Sequence, residues 1–413
     1  MPPKPSKPAA PPPPEFLLSR QPVFNRETVV VGYELLYTPF WPEPPSPAPD
    51  QQLVTQTLMN SLANTGLDHL AGGKKLFIRV NRYFLQNLPS TIWAPQQVVL
   101  EVLPDLLGDE TAVNALGPLA RQGYQVALDQ AVTVPRDIGR LSGVATLAKV
   151  PLRGDRILLN DTAGQLRLHR LQLVAQDVHT QDDWAYCRHL GFQYFQGYFF
   201  CQPRALLWRR ADASRFTVMR TLARIQNPDA DFRSLGNIIA QDASLSHRLL
   251  VLVNSPAYSL SRTINSLEQA IGFLGLNQLR AWLTLLTMAD IPDKPPELTN
   301  LAMFRAKMCE LVAPHLVQRK SDAFFVVGLF SVLDALLDMP MPDVLRQLPL
   351  SPEIGEGLAQ RRGPPGEALR LIQLLELGDW NGIFRSGLKP EIMGAAFRQA
   401  AQWTAELSRS LDS

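Results

Sequence analysis

Four acceptor side chains and one lysine stand where an alternating strand–helix chain most often does chemistry. Glu34 in GYELL, Asn81 in FIRVN, Glu101 in VLEVL and Asp129 in ALDQ each lie at or near the end of a short apolar run, and Lys149 closes LAKV. Three carboxylates and an amide offer only oxygen, the ligand preferred by hard cations such as Mg²⁺ and Mn²⁺. A single polar residue at a strand end usually does no more than solvate it. Four acceptors at comparable points on four strands make a candidate site for one divalent cation.

The elements that must position these residues follow from the apolar spacing. Between Glu15 and about Pro203 the strand-length runs are VVVGYELLY (29–37), KLFIRVN (75–81), VVLEVL (98–103), YQVALD (124–129), ATLAKV (145–150) and LQLVAQ (171–176). Most are followed by an amphipathic stretch, so repeated strand–helix units are expected, with a parallel sheet inside and helices outside. Six to eight such units close a (β/α) barrel, a TIM-like fold whose active site lies at the C-terminal ends of its strands. After Pro203 the pattern turns helical. The spacing predicts helices over 215–227, 233–241, 244–254, 266–274, 277–289, 297–319, 321–338 and 366–377, with Pro314 kinking or dividing the 297–319 segment. Asp231 is placed to cap one helix, and Ser266 with Gln269 forms a capping-box pattern. An all-α domain is therefore expected over 205–413, after a barrel over 15–204. Residues 1–14, MPPKPSKPAAPPPP, read as a disordered proline-rich tail, and WPEPPSPAPD at 41–50 as a long loop, either over the barrel mouth or out in solvent.

Composition narrows the function classes. In 413 residues, 40 basic side chains face 38 acidic ones, a balance that argues against a nucleic-acid binder. Cys187, Cys201 and Cys309 form no C-x-x-C pair and no disulfide framework, and no apolar run is long enough to span a membrane. A cytoplasmic protein is expected. The phosphate-binding loop and nucleophile-elbow signatures are missing. Asn254-Ser255-Pro256 reads as a turn element. The aromatic run from Phe192 to Phe200 reads as core or as a base-stacking platform. Arg204, Arg209, Arg210 and Arg215 with Trp208 read as a basic junction.

Longer blocks carry a resemblance. Glu34-Leu35-Leu36 within GYELLY stands where the EAL family has its signature, and Gln196-Gly197-Tyr198 with Pro203 matches that family's closing Q-G-Y and proline. In the second half DASLSHRLLVLVNSPAY, INSLEQAIGFLGLNQLRAWL and GLFSVLDALLDMPMPDVLRQLPLS resemble HDOD-domain blocks. The chain thus resembles the two-domain EAL–HDOD signalling proteins of bacteria. The resemblance implies a cyclic di-GMP phosphodiesterase barrel followed by a helical interaction domain. It also implies first-metal roles for Glu34, Asn81, Glu101 and Asp129, a water-contacting role for Lys149 and a late site role for Gln196. Several family positions are altered. Gln130 replaces the second aspartate of the paired Asp-Asp, Pro151 the aspartate of K-I-D, Gln176 and His179 two glutamates, and Thr38 a substrate-contacting arginine. Ser331 stands where the helical domain's ancestral His-Asp dyad has histidine.

Two-metal hydrolysis needs both cations, and neutral Gln130 supplies less charge than aspartate. The expectation from sequence is accordingly a non-catalytic signalling or adaptor protein. Its degenerate barrel senses or docks, with no cofactor required, a remnant site able to take one Mg²⁺ or Mn²⁺, and cyclic di-GMP as a candidate ligand. Its helical domain binds a protein partner. Nothing in the residues selects among motility, biofilm and type IV pili as the output. Two alternatives stand beside it: a residual phosphodiesterase using one metal and His179, and a scaffold with no small ligand.

Overall fold

The computed structural model describes residues 15–40, 51–87, 93–131, 141, 143–152, 156–202 and 218–411, the last with short gaps at 219, 223, 228, 259, 261, 290, 292–293 and 318–321. The proline-rich tail, the 41–50 loop, the basic junction and the expected domain boundary near 204 lie outside the described residues.

Eight strands close a barrel in chain order: β1 (Glu15–Phe24), β2 (Val30–Phe40), β3 (Lys75–Val80), β4 (Val98–Val102), β5 (Gln125–Leu128), β6 (Ala145–Pro151), β7 (Gln172–Gln176) and β8 (Tyr194–Gln196). From β2 to β8 the pairing is parallel, as the strand–helix repeat requires, with helices such as α4 (Glu110–Arg121), α5 (Arg156–Leu168) and α6 (Gln181–His189) between strands. The sequence reading missed β1. It runs antiparallel to both β2 and β8, so the barrel is not a uniform set of parallel units. A tight turn joins β1 to β2, with Asn25 Oδ1 accepting from the amides of Glu27 and Val29 and Thr28 at φ 58°. At the closing seam Gly197 has φ 144°, and a Cβ there would lie 2.1 Å from the Val178 carbonyl oxygen. That is why Gln196 is followed by a residue without a side chain.

Side chains alternate across each strand, and that period of two builds the interior in layers. Val23, Phe77, Val99, Ala127, Leu147 and Val174 form a separate apolar cluster. Two residues along from these lie Gln21, Arg79, Glu101, Asp129, Lys149 and Gln176. A polar layer therefore rests on an apolar floor.

The second half is helical: α7 (Phe232–Ala240), α8 (Ala243–Val253), α9 (Leu267–Ala289), α10 (Pro296–Leu316), α11 (Ala323–Phe330), α12 (Leu333–Leu337), α13 (Met341–Gln347), α14 (Pro352–Gln360), α15 (Gly363–Leu377), α16 (Trp380–Arg385) and α17 (Pro390–Leu411). The two expected caps form. Asp231 Oδ1 accepts from the Ser234 amide at 2.8 Å, and Ser266 Oγ from the Gln269 amide at 3.2 Å. Gly275, at φ 73°, breaks α9 between the two expected segments. Two expectations fail. Pro314 does not divide α10, which runs to Leu316; the proline sits in its last turn, so the N–H it lacks removes one of the helix's last hydrogen bonds and leaves the turns before it intact. The segment over 321–338 is not one helix, because Ser331 and Val332 separate α11 from α12. Asn254 ties a turn, as expected, with Nδ2 donating to the Ile264 carbonyl and Oδ1 accepting from its amide.

Helices α10 and α11 approach closely at Gly328, where a Cβ would stand 2.5 Å from the Arg305 carbonyl oxygen. Backbone cannot yield as a flexible side chain can, so Gly328→Ala is expected to destabilise the helical domain by about 1–3 kcal/mol through overpacking. Urea denaturation followed by circular dichroism measures this, and a wild-type midpoint would refute the close approach.

The two halves touch. Tyr33 donates to Glu297 Oε2 at 2.8 Å, Tyr198 donates to the Glu376 carbonyl at 2.9 Å, and the Arg20 guanidinium lies 5.8 Å from the centre of the Phe304 ring.

Candidate active site

The polar layer gathers most of the residues singled out from sequence. Glu34, Glu101 and Asp129 each offer a carboxylate oxygen within 4.8 Å of the others, and all three are buried. Lys149, fully buried, reaches into the group. Its Nζ donates to Glu34 Oε2 at 2.7 Å and to Glu101 Oε1 at 2.5 Å, and lies 3.9 Å from Asp129 Oδ1. Gln196 donates to Glu34 Oε2 and to Gln21. Gln176 donates to Asp129 Oδ1 at 2.9 Å, so a residue expected as a degenerate position is a working part of the layer.

Other expected residues are placed differently. Asn81 lines the cavity, but its amide is used locally: Nδ2 donates to Thr55 at 2.7 Å and Oδ1 accepts from the Phe84 amide at 2.8 Å, capping the short helix α3 (Arg82–Asn87). Thr38 does not line the cavity. Gln130 has φ 49°, and its amide donates to the Asp129 carboxylate. Pro151 ends β6 beside Gln176 in register. His179 lines the cavity and is exposed.

Sequence reasoning missed Arg79. It lies two residues beyond Phe77 on the inward face of β3, level with Glu101 in register. Its Nε donates to Asp129 Oδ2 at 2.9 Å and its Nη2 lies 3.2 Å from Glu34 Oε1. The signal was the alternation Phe77, Arg79, Asn81 along KLFIRVN. The cavity above the layer, of about 470 Å³, has walls from both halves: Leu377, Gly378 and Trp380 of the helical half face Leu36, Tyr37 and Leu103 of the barrel. No spacing rule links residues so far apart in the chain.

The electrostatics follow from burial. Burial raises the Glu101 carboxyl, and neighbouring Glu34 raises it further; Lys149 only partly offsets them, and the carboxyl is pushed up to about 8. Burial also opposes the charge on Glu34, but Lys149 and Arg79 outweigh it and hold that carboxyl below its ordinary value. Lys149 is raised: burial works against its charge, and Glu101 and Glu34 more than compensate. An unfolded glutamate titrates near ~4.3. A carboxyl raised above that value stabilises the fold at low pH and loses its contribution as pH rises through the folded value. The metal-free protein is therefore expected to lose stability between about pH 5 and about pH 8. Since a cation needs the carboxylate form, Mn²⁺ is expected to bind more tightly over the same window. Thermal melts in EDTA and in Mn²⁺ across that range check both; a metal-induced shift independent of pH would remove Glu101 from the ligand set.

The residues fit one hard cation. Glu101 Oε2, Gln176 Oε1 and Gln196 Oε1 are buried oxygens with no hydrogen-bond partner among the described residues; the first belongs to the trio, and the two glutamines are joined to it through their Nε2 atoms. Gln130 offers the site its backbone amide, to Asp129, and no carboxylate.

The helical half has no such oxygen cluster among the described residues. Ser331 Oγ donates to the Gly328 carbonyl and accepts from Arg305 Nη1 at 3.2 Å. Arg305 in turn places its fork on Glu376, with Nε at 2.8 Å and Nη2 at 2.6 Å. A buried ion pair thus stands beside Ser331.

Residues 215–346 match the model of the HDOD domain. The helical half carries an HDOD domain. An eight-stranded barrel precedes it, the order of domains that the motifs implied. Two relatives span nearly the whole chain. Uncharacterized protein YuxH of Bacillus subtilis is 29% identical over 405 residues, covering 94% of this chain and 98% of its own length. Cyclic di-GMP phosphodiesterase CdgJ of Vibrio cholerae is 29% identical over 406 residues, covering 95% of this chain and 93% of its own. Among solved structures, the PaMucR phosphodiesterase in its c-di-GMP complex is 17% identical, covers 49% of this chain and 99% of its own, and has a TM-score of 0.36. A likeness that low says nothing of function.

The expectation of a barrel without enzymatic activity is corrected by these findings. A relative matched along nearly its whole length is named a phosphodiesterase. Gln130 brings no carboxylate, but the Arg79 guanidinium stands beside Asp129, and the three carboxylates expected for one cation are gathered although the Asn81 amide is engaged elsewhere.

Proposed function

We propose that this EAL–HDOD protein is a metal-dependent cyclic di-GMP phosphodiesterase working with a single divalent cation. The observation that carries this reading is the buried trio Glu34, Glu101 and Asp129 with the Lys149 ammonium between its members. A cation held by the trio would supply Lewis-acid chemistry to the attacking water and to a phosphoryl oxygen. Hydrolysis adds one water across one P–O ester bond: the water oxygen bonds to phosphorus, the ester oxygen leaves, and a proton from water ends on it. Lys149, charged and anchored by two carboxylates, can hold that water by hydrogen bond and helps keep Glu34 ionised. Gln196 and Gln176 fix the orientation of Glu34 and Asp129. His179, exposed at the rim, is placed to meet the nucleotide. The HDOD half would carry the output, through a protein partner and through its share of the cavity wall.

The test is turnover of cyclic di-GMP by the full-length protein in Mg²⁺ or Mn²⁺, with linear dinucleotide as the product. Metal-dependent product that disappears in Glu101→Gln supports the reading. No product with either metal, under conditions where the protein binds Mn²⁺, would refute it.

A further inference from the structure

Arg79 is the candidate for a substrate-contacting residue that no family motif of this chain points to. It is held by two of the three carboxylates, at 2.9 Å to Asp129 and 3.2 Å to Glu34, so its position is fixed. Its side chain is 37% exposed, against 0–2% for Lys149, Glu34, Glu101 and Asp129. It is the cation of this layer that reaches the cavity, and it lines it. Nε and Nη2 face carboxylates, while Nη1 has no hydrogen bond or ion pair among the described residues.

Charge balance points the same way. With all three carboxylates ionised, as cation binding requires, Lys149 and Arg79 leave the layer with one net negative charge. One divalent cation turns that into a single positive charge, the complement of one phosphodiester; a second would leave a large excess. The position expected to hold a phosphate-binding arginine is Thr38, which does not reach the cavity.

We propose that Arg79 binds a non-bridging oxygen of the phosphodiester through Nη1 and provides, as a fixed charge, the stabilisation that a second metal would give. This rests on the reading of the mouth as a cyclic di-GMP site. A guanidinium suits the role because it stays charged and can hold carboxylate and phosphate oxygens along different edges at once.

The experiment uses the full-length protein, Mn²⁺ alone, and a phosphorothioate analogue of cyclic di-GMP that resists hydrolysis. Two affinities are read: Mn²⁺ by electron paramagnetic resonance, and the analogue by calorimetry in Mn²⁺. In Arg79→Gln, Mn²⁺ is expected to bind as tightly as in the wild type or more so, because a competing cation has left Glu34 and Asp129. The analogue is expected to bind at least ~10-fold more weakly, the loss of a charged phosphate contact. Arg79→Lys, which keeps the charge and protects the fold, should fall between. Analogue affinity within about twofold of wild type in both variants would leave Arg79 a counter-ion only and overturn the proposal. A wild-type protein that binds Mn²⁺ but neither binds the analogue nor makes product overturns the functional reading itself, and this inference with it.

Discussion

Lys149→Ala is expected to abolish turnover and to cost about 3–5 kcal/mol of folding stability in metal-free buffer. The ammonium is fully buried, with Glu34 at 2.7 Å and Glu101 at 2.5 Å, and its removal leaves those carboxylates facing each other across an apolar floor. Glu101 is already pushed up to about 8 with the lysine present, so the variant must hold more protons to stay folded. Its deficit is therefore expected to widen as pH rises. Mn²⁺ should restore much of the stability, because a divalent cation can replace the lost charge, without restoring turnover. Urea denaturation in EDTA and in Mn²⁺ measures this. A wild-type midpoint in EDTA would show that Lys149 is not the resident counter-ion of the site.

The second large effect lies in the HDOD half. Arg305 and Glu376 are about 95% buried and bonded bidentately, through Nε and Nη2 along one guanidinium edge. Arg305→Ala is expected to destabilise the protein by about 3–5 kcal/mol, since it strands a buried carboxylate. The double variant Arg305→Met with Glu376→Leu should recover most of that loss, because the pair's mutual attraction does little more than repay its desolvation. Glu376 also links the halves: its carbonyl accepts from Tyr198 of the barrel, and the residues just after it wall the cavity. Arg305→Ala is thus expected to weaken nucleotide binding although it lies outside the cavity. Calorimetric binding with denaturation of the single and double variants checks both. Full destabilisation persisting in the double variant would mean that the ion pair specifies the fold rather than merely neutralising itself.

Much of this was legible in the residues. Apolar runs of strand length, each carrying a polar residue at or near its end, determined the barrel and named Glu34, Glu101, Asp129 and Lys149, because alternation alone decides which side chains face inward. Helical spacing determined the second half, and Asp231 and Ser266 marked helix starts because a cap acts within a few residues. Tertiary structure decided the rest. The antiparallel β1 depends on partners at both ends of the barrel domain, β2 and β8. Asn81 turned to cap a helix instead of facing the trio, a choice between two nearby sets of partners that the sequence leaves open. Arg79 became part of the site only once Asp129 and Glu34, fifty and forty-five residues away, were brought within hydrogen-bond reach of it. Likewise Trp380 became a wall of the barrel's cavity only when the two halves packed together. Local periodicity determines which face a side chain takes; which charges then share a buried volume, and so which chemistry survives the loss of a motif residue, depends on long-range packing.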